Sequence, residues 1–437
     1  MKSGLPSPRG NERSWRAAIA VATALLLVLP PWAAAQGKPT FAVDYIVTIS
    51  AKNPKLARVR WELAGIDEIE ELRLRFRGHP IKKLRASGRL DTDAEGARWI
   101  PGGPYGHLSY VVAIDQPRGQ SGKFDSYAGS SWIVTRARQL FPKISMTFTP
   151  RSTAGARSRS RLIFRLPPGW QSAAPFPRLD SHTYELRDDH SVLVRPRGWL
   201  ACGDLHLAHE EIADIMVQIA SAPGTTVAAD RIFEFLNPTL PRLKKLLRAG
   251  TQPLLIVSAP DPMWHGGISG AHSFFIHGQR PLRTADKTSP YLHELFHVLQ
   301  PYKAGTDADW IAEGLAEYYS LELQRRAGLI DAESFARALQ SFERYGKWNV
   351  DLGTQRDNAA TNNSAPLVMY ALDQRIQHAT SGRMKLDDVV SRLAKEAGVV
   401  DSARFRRTVT SVSGKKLTKF FEQHVAKGVP PKLREAP

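Results

Sequence analysis

The feature that most restricts how this chain can fold is a pair of short motifs that must meet in space. Residues 293–297 read His293-Glu294-Leu295-Phe296-His297, and Glu313 follows in Asp309-Trp310-Ile311-Ala312-Glu313-Gly314-Leu315-Ala316-Glu317. Leu292, Leu295, Phe296 and Leu299 recur at i, i+3, i+4 and i+7, the spacing of a helix that is apolar on one side. Residues four apart share a helix face, so His293 and His297 can reach one metal ion, with Glu294 beside the water that ion would activate. A catalytic zinc site needs three protein ligands and an open position. Glu313 offers the third ligand from a second helix, and the two helices must then fold back on each other.

Local signals support that arrangement. Thr306 and Asp309 have the spacing of a capping box, and 301–305 reads as the turn between the helices. Gly314 inside a helix costs about 1 kcal/mol against alanine, so it implies close helix approach. Glu317 lies one turn after Glu313. It is either a solvent-facing glutamate or the carboxylate that accepts the second N–H of a ligating histidine. The donor set suits zinc, and other divalent ions can also satisfy it. Glu294 is the expected general base, taking a proton from water and passing it to a leaving amine.

The rest of the chain supplies a scaffold. Phe41, Val43, Tyr45, Val47 and Ile49 alternate with smaller or polar residues, as do Ala57, Val59, Trp61 and Leu63, then Leu72, Leu74 and Phe76, then Ile144, Met146 and Phe148. Period two with one charged face predicts half-buried antiparallel strands. Residues 36–220 therefore read as an antiparallel β-sandwich-like domain. Beyond it, 221–437 reads as an α+β domain with a helical C-terminal part. Helical spacing runs from Ile232 to Leu247 with a break at Pro238 and Pro241, and Leu254 to Val257 is a buried strand. His206 and His209 stand three apart on a predicted strand, which points them to opposite faces and argues against a metal pair.

Four basic residues open the chain, and Ala17 to Leu29 is apolar except for Thr23. Pro30 and Pro31 then precede the small residues Ala33-Ala34-Ala35, so 1–35 reads as a signal peptide. That run is short for a membrane span, and no later segment is apolar enough to be one. The expectation is an exported protein, periplasmic or extracellular. Cys202 is the single cysteine, which excludes an internal disulfide and suits a small buried filler. The formal charge is +18, or +15 without residues 1–35. The densest basic run, Arg151, Arg157, Arg159, Arg161 and Arg165, has no interleaved aromatics and reads as a solvated loop rather than a nucleic-acid platform.

With these residues in view, the chain resembles the gluzincin metallopeptidases, and within them the glycyl aminopeptidase family. The resemblance rests on HELFH at 293–297 and WIAEGLAEYY at 310–319, with weaker matches in YIVTISAKNPKLARVRWELAGI from Tyr45 and LDQRIQHATSGRMKLDDVVSRL from Leu372. It implies a thermolysin-like zinc peptidase domain behind a β domain, here a variant without a PDZ domain, and cleavage at the N-termini of peptide or protein substrates. The stretch Gly266-Gly267-Ile268-Ser269-Gly270-Ala271-His272 corresponds to the strand that pairs with substrate, which makes Gly266, Gly267, Gly270 and His272 candidate substrate contacts. Relatives hold a glutamate there for the substrate's amine. This chain has no glutamate between Glu234 and Glu294, and Asp261 is the nearest acid. Where relatives place an oxyanion-binding tyrosine, this chain reads Asn362-Asn363-Ser364-Ala365, leaving Tyr370, Tyr345 and His272 as candidates for that role. The leading expectation is an active zinc peptidase. A zinc-stabilised peptide-binding or scaffold protein and a binder of anionic polymers stand as alternatives.

Overall fold

The period-two segments become strands whose alternate side chains fill one core. The computed structural model describes residues 41–67, 69–76, 81–148, 157–188, 191–354 and 360–433; the signal segment expected at 1–35 lies outside them. Strand Phe41–Ser50 buries Phe41, Val43, Tyr45, Val47 and Ile49. It pairs antiparallel with Asn53–Ala64, setting Tyr45 opposite Trp61. Their rings meet edge-on at 5.1 Å, and Tyr45 makes a similar contact with Phe141 at 5.5 Å. Such edge contacts add to the burial of large rings.

These strands belong to a six-stranded sheet ordered 183–186, 158–165, 41–50, 53–64, 105–113, 81–86. It is antiparallel except where Phe41–Ser50 runs parallel to Ser158–Arg165. A four-stranded antiparallel sheet of 143–148, 69–75, 96–100 and 89–92 shares its core. The basic run differs from expectation in its described part. Arg159, Arg161 and Arg165 lie on a strand, not a loop, and Arg161 is clamped by Asp44 through bonds of 2.7 and 2.5 Å. Arg151 lies outside the described residues.

A third sheet, ordered 171–173, 199–203, 132–136, 124–128 and 116–117, faces the next part of the chain. Trp132, Val134, Trp199 and Ala201 pack in one cluster with Leu255, Val257 and Phe275. Cys202 is a buried member of its second strand, and burial pushes its thiol up to about 12, as befits a filler.

Leu255, Val257 and Phe275 come from a five-stranded sheet ordered 206–212, 215–221, 254–259, 273–277, 267–270. It begins with strands His206–Ile212 and Ile215–Ser221, ahead of residue 221. Its central strand Leu254–Ala259 is buried on both faces. Leu255 and Val257 meet the β domain, while Leu254 and Ile256 meet helices Ala229–Leu236 and Leu240–Leu247. A strand covered on both sides reads as a continuous apolar run. Pro238 and Pro241 fall at the expected helix break.

Helix Pro290–Leu299 starts with Ser289 accepting a bond from the Leu292 N–H at 3.3 Å, with Pro290 in the first turn. Helix Asp309–Arg326 is buried on nearly every side, through Trp310, Ile311, Leu315, Tyr318, Tyr319 and Leu323, the pattern of a central helix. Its N-cap is Ala308, two residues after the expected capping residue Thr306, and Ala308 makes no side-chain bond. The segment read as a turn holds the short strand Tyr302–Ala304, paired parallel with Gly398–Val400. Among the described residues, no helix is long and apolar enough to cross a membrane.

One ionic network ties the central helix to helix Leu386–Glu396. Arg326 donates to both carboxylate oxygens of Asp387 at 2.6 and 2.9 Å, and the Tyr319 hydroxyl donates to Asp387 at 2.9 Å. Buried Glu322 accepts from Arg325 and Arg326. Removing one partner of such a network leaves the others without theirs. Asp387→Ala is expected to cost about 2–3 kcal/mol of stability, read as a lower urea midpoint with an unchanged slope.

Candidate active site

Two helices and a sheet edge build the site. On helix Pro290–Leu299, His293 and His297 sit one turn apart, with Nε2 atoms 3.2 Å from each other. On helix Asp309–Arg326, Glu313 faces both, 3.2 Å from His293 Nε2 and 3.5 Å from His297 Nε2. The two helices touch below this group, where Phe296 stacks on Tyr319 at 5.7 Å.

The expected role of Glu317 has its geometry. Glu317 Oε2 lies 2.6 Å from His293 Nδ1. That bond fixes the proton on Nδ1 and turns the Nε2 lone pair toward Glu313 and His297. Two imidazole nitrogens at 3.2 Å beside a carboxylate need a proton or a cation among them. Ligand atoms about 2.0–2.1 Å from a tetrahedral zinc would be about 3.3–3.4 Å apart, which the three separations approach. The donor set and its spacing therefore fit one divalent ion, held by His293, His297 and Glu313. The electrostatics agree. Burial lowers the His293 imidazole, but Glu313 and Glu317 outweigh it and hold the group well above its ordinary value. Burial raises the Glu313 carboxyl, and the two histidines more than reverse this. The cluster favours added positive charge.

Glu294, the next residue on the helix, lines the same cleft as the two histidines. Its side chain is buried, and burial pushes its carboxyl up against the opposing pull of His293 and His297. It accepts a bond from the Ser269 backbone N–H, so the edge strand Gly267–Gly270 lies directly over it. Gly267 is what lets strand and carboxylate meet: a Cβ there would stand 2.6 Å from Glu294 Oε1 and 2.7 Å from its Cγ. Gly314 serves the neighbouring contact. Its Cβ would stand 2.8 Å from that of Ala365, so the close approach is to helix Ala365–Ala379 rather than to the histidine helix.

A cleft of about 510 Å³ joins these parts, and Gly266, Gly267, Ile268, Ser269, His293, Glu294, His297, Glu313 and Glu317 line it. Other expected residues lie elsewhere. Gly270 packs beside Trp199 outside the cleft. His272 sits exposed in the turn after the edge strand, with φ 51°. Tyr370 packs against Phe335 at 6.1 Å and lines a separate cavity with Tyr318 and Arg325. Tyr345 is exposed at the end of helix Ala332–Tyr345. None of the three oxyanion candidates is among the residues that line the cleft. Asn362, from the segment matched to the family's tyrosine region, does enter.

Asp261 is also committed elsewhere. It accepts from Lys123 Nζ at 2.5 Å and lies 2.8 Å from His265 Nε2; these partners, Lys123 first, pull its carboxyl down to about 2. Asp261, His265 and His277 form a second group of metal-ligand types, but the Lys123 ammonium occupies the cation's place. His206 and His209 fall on strand His206–Ile212, outside either group. The sequence reading missed Arg118, Arg136, Trp264 and Arg280, which also line the cleft. Arg118 and Arg136 come from the β domain, and no local pattern connects them with a motif beyond residue 290.

Glu317→Gln is expected to weaken zinc binding about 10- to 100-fold while leaving the fold intact. Competition with a chromophoric chelator measures it.

No protein-family model matches the sequence, and no curated protein matches it. Solved structures do match in three dimensions. An aminopeptidase N family protein from Idiomarina loihiensis has a TM-score of 0.62 at 16% identity, covering 81% of this chain and 70% of that one. An M1 zinc metallopeptidase from Deinococcus radiodurans has 0.58 at 14%, covering 92% and 98%. Yeast LTA4 hydrolase has 0.51 at 14%, covering 90% and 69%. The chain therefore has the fold of the M1 zinc metallopeptidases, an α+β architecture in which a β domain precedes a zinc-peptidase-type domain ending in helices.

Proposed function

We propose that this chain is a zinc-dependent peptidase, with Glu294 as its general base. The observation that carries the reading is the placement of a buried carboxylate, Glu294, between a three-donor cation site and the free edge of a sheet. His293, His297 and Glu313 would hold the zinc, which when bound supplies Lewis acidity toward water and the scissile carbonyl. Glu317 keeps His293 in the correct tautomer through the 2.6 Å bond. The edge strand Gly267–Gly270, whose Ser269 N–H is bonded to Glu294, stands at the border of its sheet, where an extended peptide would lie as an added strand. Glu294 takes a proton from water and delivers it to the departing amine; a carboxyl raised by burial does both better than an exposed one.

The solved relatives are named as aminopeptidases or zinc metallopeptidases, and cleavage near peptide N-termini is part of the proposal. The basic and apolar run before Gln36 adds export to the periplasm or medium.

A mixed peptide library digested by zinc-loaded protein and read by mass spectrometry tests the reading. Glu294→Gln should lower cleavage about 10²- to 10⁴-fold with zinc content unchanged. Full activity in that variant would remove Glu294 from the reaction. Gly267→Ala, which forces Glu294 and the edge strand apart, should lower kcat about 10²-fold with zinc retained.

A further inference from the structure

The cleft is lined by residues of both charges. Its acidic residues are Glu294, Glu313 and Glu317, all tied to the cation site, and Arg118, Arg136 and Arg280 also line it. An amine-binding site would place spare carboxylate there, and this one places guanidinium groups.

The three arginines differ in how far they are already engaged. Arg118 is paired with Asp125 at 2.8 Å, and its guanidinium lies 4.2 Å from the centre of the Trp264 ring. Arg280 donates its Nε to the His265 carbonyl at 2.7 Å, which leaves the guanidinium end free of that bond. Arg136 has no carboxylate within ion-pair distance among the described residues. Its Nε is shut off from solvent without a hydrogen-bond partner. The group is held 5.1 Å from the centre of the Trp199 ring. Burial, helped by Arg138 and Arg118, pulls it down to about 10, so it remains a cation at neutral pH. The Nη ends of this half-buried guanidinium are not shut off in the same way, and an anion in the cleft can reach them. A planar fork of donors matches a carboxylate better than any other common peptide group.

We propose that Arg136, with Arg280 lining the same cleft, binds a carboxylate of the substrate, so that the enzyme selects peptides by an anionic group. The carboxylate can be a peptide's C-terminus or an aspartate or glutamate side chain. Both present the same two oxygens, and which one docks decides whether the cleft serves chain ends or acidic residues. The inference rests on the peptidase reading of this cleft, but its test reads binding and not cleavage.

Zinc-loaded Glu294→Gln protein is titrated by calorimetry with two pairs of peptides. One pair is Ala-Ala-Ala as free acid and as C-terminal amide. The other is Ala-Asp-Ala amide and Ala-Asn-Ala amide. In one pair or the other, the anionic member should bind about 10- to 100-fold tighter. Adding Arg136→Gln should abolish the difference, while zinc content and thermal midpoint stay near those of the parent. Preference in the first pair assigns the C-terminal carboxylate, and preference in the second assigns the side chain. Should Arg136→Gln fail to fold, Arg280→Gln carries the same test, with at least a fivefold loss of preference expected. Equal binding within both pairs overturns the proposal. So does a preference that survives the arginine substitutions, which would place the carboxylate on the metal instead. A cleavage assay that fails while the acid–amide preference holds would count against the peptidase reading and leave the anion site standing.

Discussion

Everything at the site depends on how helix Pro290–Leu299 packs on helix Asp309–Arg326. Two imidazoles and three carboxylates taken partly out of water are unfavourable by themselves. They are held together because the same helices bury Leu292, Leu295 and Phe296 against Trp310, Ile311 and Leu315. The stacked Phe296–Tyr319 pair sets the helix spacing directly below the polar group. The His293–Glu317 bond then fixes rotation about the helix axes. A shift of one residue in either helix would turn Glu313 about 100° away from the histidines. The apolar register is thus also the metal register.

The β domain acts on the site through the strand that lies over Glu294. Trp199, from its third sheet, donates its indole N–H to the Ile268 carbonyl at 2.9 Å and its backbone N–H to the Ser273 hydroxyl at 2.8 Å. Phe124 exchanges backbone bonds with Pro262 and Trp264 at 3.0 Å each. Lys123 and Asp261 close the same junction. An edge strand is ordinarily the loosest part of a sheet. Here it is fastened from the side opposite the helices, so its free backbone stays at a constant height above Glu294. The Asp261, His265, His277 and Lys123 group belongs to this fastening, which explains a cluster of ligand-type residues with a lysine at its centre.

What was legible in the sequence follows from the range of each interaction. Strands such as Phe41–Ser50 are dictated by alternation along ten residues, and His293, His297 and Glu294 by spacing along one helix. Glu313 and Glu317 could be read because their helix carries its own pattern and only one partner suited it. Tyr370 could not be placed, since its helix is apolar on several sides and period alone does not say which faces the cleft. The Tyr302–Ala304 strand depends on its partner Gly398–Val400, far from the local signals that suggested a turn. Arg136 ends a β-domain strand like many surface arginines, and only the docking of that domain on the second sheet gives it a role.

That docking also orders the charges. A uniformly cationic chain would attract anions over its whole surface without orienting them. In the cleft, the carboxylates come from the two helices of the cation site, and two of the three guanidinium groups come from the β domain. The separation is maintained by structure, because Arg118 is anchored to Asp125 and Arg136 is held against Trp199, so neither can collapse onto Glu313. A substrate entering between them meets a field with a direction. In the proposed reading its anionic end would be drawn toward Arg136, and its backbone would lie along the edge strand near Glu294. The β domain therefore does more than cover the sheet: it fastens the edge strand through Trp199 and brings Arg118 and Arg136 to the cleft.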